Sequence, residues 1–207
     1  MKMFKAQGNL RMKWENDIPT PDKNSYWQDI CWKEVNRRVY KLQKRIYKAS
    51  KRGDVKTVRG LQKILIKSQS GKLAATRRIT QENKGKKTAG IDGKKILNPQ
   101  QRIKAAMDIK LSDKCKPVRR VWIPKPGRDE QRPLGIPTIN ERIKQYLVKL
   151  ALEPEWEAKF EPNSYGFRPG RSAYDAIVAI YTSISKKPKY VLDADIVKLN
   201  IFGDKDV

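Results

Sequence analysis

The sequence contains no histidine, and its two cysteines, Cys31 and Cys115, stand alone without CxxC spacing. Ordinary zinc sites and histidine-based acid/base or triad chemistry are thereby excluded. Acidic residues are scarce, with 22 Asp and Glu against 47 Lys and Arg in 207 residues. Any metal here would be held by carboxylate oxygen, which points to magnesium or manganese. Long apolar runs are also missing. The longest, such as QYLVKLAL, fall far short of the ~20 residues a bilayer requires and are broken by lysine. The first residues, MKMFKAQGNLRMKWEND, show neither an apolar core nor a small-residue cleavage site, so no secretory signal is expected and the thiols stay reduced.

What remains is charge. A net charge of +25 and a pI near 10.1 give a surface that repels itself unless polyanions neutralise it, which makes nucleic acid the first partner to consider. The chain is long enough for one domain, or one with a small appendage, and for an apolar core. Residues 1–24, with PTPDKN, read as a flexible lead-in. Order is expected from Ser25, where Ser25 and Gln28 have capping-box spacing. Trp27, Cys31, Val35, Val39, Leu42 and Ile46 then follow at three- and four-residue steps of an amphipathic helix that Gly53 closes. Asp54 caps a second helix carrying Val58, Leu61 and Leu65 and ended by Gly71; KLAATRRITQEN forms a short third. Between residues 31 and 90 stand 19 basic and 3 acidic residues. A merely solvated helix face normally mixes in glutamate for i,i+4 pairing, and NRRVYKLQKRIYKASKR does not.

NKGKKTAGIDGKK reads as an exposed loop, and Pro99 after Asn98 starts a helix through about Leu111. The period then shortens to two: VRRVWIPKPGRDEQRPLGIPT is a hairpin with its turn in PGRDEQ. Thr138 and Glu141 have capping-box spacing before INERIKQYLVKLAL, which Pro154 is expected to interrupt. Ser172 and Asp175 cap a further helix, and KYVLDADI reads as a closing strand delivering Asp193 and Asp195 to its tip. Three segments suit phosphate. The glycine- and lysine-rich loop lacks the GxxxxGK[ST] pattern and is a weak signal alone. The hairpin sets Lys125, Arg128 and Arg132 near a rigid turn. In SYGFRPGRS, Tyr165 and Phe167 offer stacking faces beside Arg168 and Arg171, the interleaving favoured by single-stranded nucleic acid.

TAGIDG, then WIPKPGRDEQRPLGIPTINERIKQYLVKLALEPEWEAKFEPNSYGFRPGRSAYDAI, then YVLDADI resembles the fingers region and first palm strand of group II intron reverse transcriptases, the maturases. The likeness runs from about Trp27 to Ile196. The fold class it implies is α+β: a mostly helical fingers region of a right-hand polymerase, with a β-hairpin and the first palm strand. The implied division is a lead-in at 1–24, a basic helical extension with a template-covering loop at 25–90, fingers and the beginning of the palm at 91–196, and an aberrant tail at 197–207. The resemblance further implies that the basic helices and loop bind structured intron RNA, through Arg37, Arg38, Lys41, Lys44, Arg45, Lys48, Lys51, Arg52, Arg77, Arg78, Lys84, Lys86 and Lys87. It places Lys125, Arg128 and Arg132 at a fingertip touching template and nucleotide phosphates, and Tyr165, Phe167, Arg168 and Arg171 along the template path.

Asp195 matches the first magnesium-binding carboxylate of the palm, with the Ile196 carbonyl beside it. The sequence then departs from the family into VKLNIFGDKDV, which carries no further palm motif. Two-metal phosphoryl transfer needs several carboxylates, so Asp195 is expected to be a vestigial catalytic and metal position without a complete Mg2+ site. Asp193 and Asp195 read equally as a solvated strand end. Three functional readings stay open: a truncated RNA-binding intron protein that assists splicing, a piece of an RNA-directed DNA polymerase completed by a second protein chain, and a degenerate fragment with no selected role. Location would follow the intron, in a bacterial cytoplasm or an organellar matrix or stroma, with no membrane partner.

Overall fold

The computed structural model describes residues 27–112, 114–127, 129–192 and 194. The lead-in, the Ser25 cap, Arg128, Asp193, Asp195 and everything after it lie outside these residues. Two compact units divide the chain after Lys159.

In the first unit a short 3-10 turn, Trp27–Asp29, precedes α1, Trp32–Lys51. The expected three- and four-residue spacing appears as Val35, Val39, Ile46 and Ala49 on the buried side of α1. Cys31, expected on that side, is exposed because the α-helix begins only after it. Helix α2, Val55–Lys67, is capped by the Asp54 carboxylate, which accepts from the Thr57 N–H at 3.0 Å. Ser68 then does two jobs. Its hydroxyl donates to the Leu65 carbonyl at 2.7 Å, closing α2, and accepts from the Gly71 N–H at 3.0 Å, opening α3, Gln69–Arg77. Gly71 therefore does not end α2 as expected but lies inside α3. A Cβ on it would meet the Leu65 carbonyl oxygen at 2.6 Å, so the tight α2–α3 corner requires glycine.

Helix α3 runs on into a π-turn, Arg78–Glu82, with the Asn83 N–H donating to the Arg78 carbonyl at 2.9 Å, and then a 3-10 turn, Lys84–Lys87. The loop expected to be wholly exposed is instead pinned. Arg142 donates through Nη1 to the Gly85 carbonyl at 3.0 Å and through Nη2 to the Thr88 carbonyl, while Gly90 is buried against the backbone of Pro137 and Thr138. Helix α4, Pro99–Asp108, has the Asn98 side chain accepting from the Gln101 N–H at 2.8 Å. It stops three residues short of Leu111 because Ile109 leaves the helical region and inserts into the core.

The hairpin forms as expected. Strands β1, Arg119–Pro124, and β2, Gln131–Ile136, are antiparallel, with Val121 opposite Leu134 and Ile123 opposite Arg132. Helix α5, Ile139–Glu157, opens with the Thr138 hydroxyl accepting from the Glu141 N–H at 3.3 Å; the Glu141 carboxylate bonds Lys144 at 2.9 Å rather than completing the box. Pro154 does not interrupt α5. It removes the N–H that would bond the Leu150 carbonyl, and Gln43 of α1 supplies a side-chain N–H to that carbonyl at 3.0 Å. One core joins Val39 and Ile46 of α1, Leu61 and Leu65 of α2, Ala75 of α3 and Ile143, Leu147 and Ala151 of α5, so residues on both sides of position 90 share it. A second cluster packs Trp27 and Val35 with Leu73, Ile103 and Ala106.

The second unit contains the SYGFRPGRS loop and α6, Ala173–Ile184, whose capping box between Ser172 and Asp175 is complete. Tyr190, Val191 and Leu192, expected to open the closing strand, are exposed and irregular. A strand needs a neighbouring ladder for its backbone groups, and among the described residues only β1 and β2 pair.

Candidate nucleic-acid interface

Helical geometry sets the composition of the α1 surface. With Val35, Val39, Ile46 and Ala49 turned inward, the opposite side carries Lys41, Lys44, Lys48 and Lys51, three or four residues apart, with Arg45 alongside. All five are exposed, and none has a carboxylate partner among the described residues. Arg52 follows at the C-cap; nearby Asp54 is held below the usual carboxylate range chiefly by hydrogen bonds from Thr57, to which the Arg52 charge adds. Cations in the last turn also suit the helix dipole, which adds to the local order of the stripe.

The arginines are placed differently. Arg37 Nη2 and Arg38 Nε lie 2.8 and 3.0 Å from the two oxygens of Glu34. Hydrogen bonds from Arg37 and then Arg38 hold the Glu34 carboxyl down at about 2, and the same contact raises the Arg37 value. At the π-turn, Arg77 Nε and Arg78 Nη1 reach the two oxygens of Glu82 at 2.9 and 3.2 Å, and the Arg77 guanidinium stacks 4.5 Å from the Trp32 ring. Arg37, Arg38, Arg77 and Arg78, expected among the RNA-binding residues, are thus also engaged within the protein. The π-turn explains the second pair: the extra residue in its last turn brings Glu82 back over both guanidinium groups. Lys84 and Lys87 project from the following turn as exposed cations, whereas Lys86 donates to the Gln81 carbonyl at 2.8 Å.

On the hairpin, Lys125 is bound to Glu130 at 2.5 Å, a contact that lowers the Glu130 carboxyl, and Arg132 is exposed on β2. The Lys125–Glu130 pair straddles the turn, where the Lys125 N–H also donates to the Glu130 carbonyl at 2.9 Å.

In the second unit Arg168, expected along the template path, is turned inward. It is 8% exposed, and its Nη1 donates to the carbonyls of Glu161 and Ser164, both at 2.7 Å, while the guanidinium lies 5.2 Å from the Phe160 ring. A loop without regular structure must satisfy its carbonyls, and Arg168 does so from inside. Arg171 remains exposed over Tyr165 at 5.5 Å, and Phe167, at a positive φ of 57°, stands fully in solvent. Tyr165, Phe167 and Arg171 therefore keep the stacking-and-charge arrangement, and Arg168 shapes it.

Sequence reasoning missed the tethering carboxylates Glu34 and Glu82. Glu34 was legible from its i+3 and i+4 spacing to Arg37 and Arg38; the π-turn that brings Glu82 round has no comparable signal. Among the described residues no three acidic, cysteine or histidine side chains gather in a way that would hold a metal. Asp195, the expected magnesium position, lies outside those residues, so no step is assigned to a bound metal. No helix among the described residues is long and apolar enough to cross a membrane.

A family model described as the N-terminal domain of reverse transcriptase matches residues 27–109. Maturase-like protein 1 of Euglena gracilis is 34% identical over 169 residues, covering 78% of this chain and 36% of that protein. Protein YkfC of Escherichia coli (strain K12) is 36% identical over 134 residues, 60% of this chain and 35% of that protein. The group II intron-encoded protein LtrA of Lactococcus lactis subsp. cremoris is 39% identical over 102 residues, 47% of this chain and 17% of that protein. The chain spans about a third or less of the length of these curated relatives. The match to the N-terminal domain of reverse transcriptase on α1 to α4 and the maturase-like similarity extending past the hairpin and α5 together support a group II intron reverse transcriptase or maturase N-terminal region.

Proposed function

We propose that this chain binds structured intron RNA through the lysine stripe of α1, holding phosphates and so helping the RNA keep its splicing-competent fold. The observation that carries the reading is the set of exposed cations at Lys41, Lys44, Arg45, Lys48 and Lys51, unpaired on a rigid helix among the described residues. A helix anchored by α2, α3 and α5 presents these charges at fixed spacing, and each phosphate contact releases a counterion. Lys84 and Lys87 extend the same chemistry to the loop after the π-turn. The place of action is wherever the intron is transcribed, in a bacterial cytoplasm or an organellar matrix or stroma.

Filter binding of the purified chain to a group II intron RNA across a salt series tests it. Affinity falls steeply with salt, and the double variant Lys44→Gln/Lys48→Gln binds more weakly at low salt and with a shallower salt slope. Affinity indifferent to salt, or unaffected by that variant, refutes the reading.

The match to the N-terminal domain of reverse transcriptase favours a second reading, participation in RNA-directed DNA synthesis. In it, Lys125 and Arg132 meet nucleotide or template phosphate, and a second chain completes the polymerase. Magnesium, when bound by a complete palm, would activate the primer hydroxyl and stabilise the leaving phosphate. Primer extension decides this: templated cDNA supports synthesis, and RNA binding without cDNA under all metal conditions supports the first reading.

A further inference from the structure

Beside the lysine stripe, α1, α3 with its π-turn, and α5 enclose a cleft of ~270 Å³. We infer that this cleft receives a single unstacked nucleobase of the bound RNA, an inference that rests on the RNA-binding reading above and adds a base-recognition site to it. The volume is near the lower end of small-molecule pockets, about 300 Å³, which fits one base and not a stacked pair. The floor is apolar, made by Val39, Ala74 and Leu150, and two tyrosines, Tyr40 and Tyr146, supply aromatic wall. Apolar floor with aromatic wall is the environment that holds a base removed from its stack.

The rim carries hydrogen-bonding groups suited to a base edge. Gln43 commits one N–H to the Leu150 carbonyl, which leaves its second N–H and its carbonyl oxygen for a ligand at the cleft. Asn36, exposed at the mouth, keeps both amide functions available. Glu82 has one oxygen on Arg77 and the other on Arg78, yet a carboxylate offers about four acceptor positions. Donors stand beside these acceptors, because the Arg77 and Arg78 guanidinium groups also line the cleft, so the rim offers partners to the edge of any base.

Position ties the cleft to RNA and not to a free metabolite. Tyr40 stands three residues after Arg37 and four before Lys44, so it lies on the border between the cleft and the stripe, and it is 63% exposed. A phosphate backbone following Lys44, Lys48 and Lys51 passes along the cleft's mouth. None of these cleft residues is among the positions that charge or resemblance singled out, apart from the tethered pair Arg77 and Arg78.

The test uses the full chain and five fluorescein-labelled RNA hairpins identical except for one bulged position, which is A, C, G, U or abasic. Each hairpin with a bulged base is bound about tenfold more tightly than the abasic twin, the scale set by stacking one base. Asn36→Ala, at an exposed position, and Tyr146→Leu each bring the base-bearing hairpins toward the affinity of the abasic one, with folding checked by circular dichroism. Lys44→Gln weakens all five by a common factor. If all five hairpins bind alike and with strong salt dependence, the cleft inference is overturned and the RNA-binding reading stands; if none binds, or salt has no effect, both fall. Competition by free AMP, CMP or GMP as effective as the hairpin itself would assign the cleft to a mononucleotide and overturn the inference.

Discussion

The contact between Gln43 and the Leu150 carbonyl makes a quantitative prediction about why a proline sits inside α5. In an uninterrupted helix the N–H of residue 154 would satisfy Leu150. Pro154 has none, and a mid-helix proline costs ~3 kcal/mol relative to alanine in an exposed helix. Here Gln43 donates to the orphaned carbonyl at 3.0 Å across the α1–α5 interface, and Pro154 itself is buried. Gln43→Ala leaves a largely buried acceptor without a donor, a change of about 1–3 kcal/mol. In a Pro154→Ala background the same change costs much less, because the alanine N–H returns the helical bond.

A double-mutant cycle by urea denaturation, at one fixed salt concentration, therefore shows a coupling of about 1–2 kcal/mol between positions 43 and 154. The sign is specific: the double variant is more stable than the sum of the two single changes predicts. Residues that only share a packed interface have no reason to couple through a backbone amide. Additivity within ~0.5 kcal/mol would refute the account.

Three further outcomes are expected. Gly90→Ala places a Cβ 2.6 Å from the Thr138 Cα and 2.7 Å from its N, backbone that cannot swing aside, so it destabilises by about 2–4 kcal/mol. Gly93→Ala has open space at φ +65° and loses only ~1 kcal/mol; equal effects in thermal melts would contradict this reasoning. Glu34 ionises well below an ordinary glutamate, so its contribution is full above the usual carboxylate range and is lost as pH falls toward about 2; Glu34→Gln flattens the melting temperature over that window, and an unchanged profile would show the arginine pair to be inert. Glu130→Gln frees Lys125 from its 2.5 Å partner; affinity for RNA rises at low salt if the hairpin touches phosphate and is unchanged if it does not.

The helices were legible where one local rule governed them. Buried positions at 35, 39 and 46, caps at Asp54, Asn98 and Ser172, and the two-residue alternation of the hairpin all follow from short-range periodicity and side-chain capping. The failures share a cause, which is that a distant residue overrode the local signal. Pro154 is a breaker unless something else donates to Leu150, and the donor lies 107 residues away. Gly71 reads as a stop until Leu65 and Leu147 are seen against it. The lysine- and glycine-rich loop reads as free because its clamp, Arg142, lies 54 and more residues further on. For the candidate interface, composition marked the basic segment but could not divide its charges into paired and unpaired ones.

That division has a measurable consequence. Arginine's planar fork matches a carboxylate's geometry, and in this unit the scarce acids Glu34 and Glu82 are each bound by two arginines. Four guanidinium groups are thereby bound within the protein, while the α1 lysines keep mobile ammonium groups in water. The total charge of +25 then overstates the number of phosphates the stripe can neutralise. Five free cations, at about 0.9 counterions for each contact, give a log–log salt slope of roughly −4 to −5. Engagement of every formal charge would give a slope several times steeper. A slope near the smaller value assigns binding to one organised face of α1. A value near the larger one would mean that RNA wraps the whole surface indiscriminately, and the pairing of Glu34 and Glu82 with their arginines would then have no bearing on recognition.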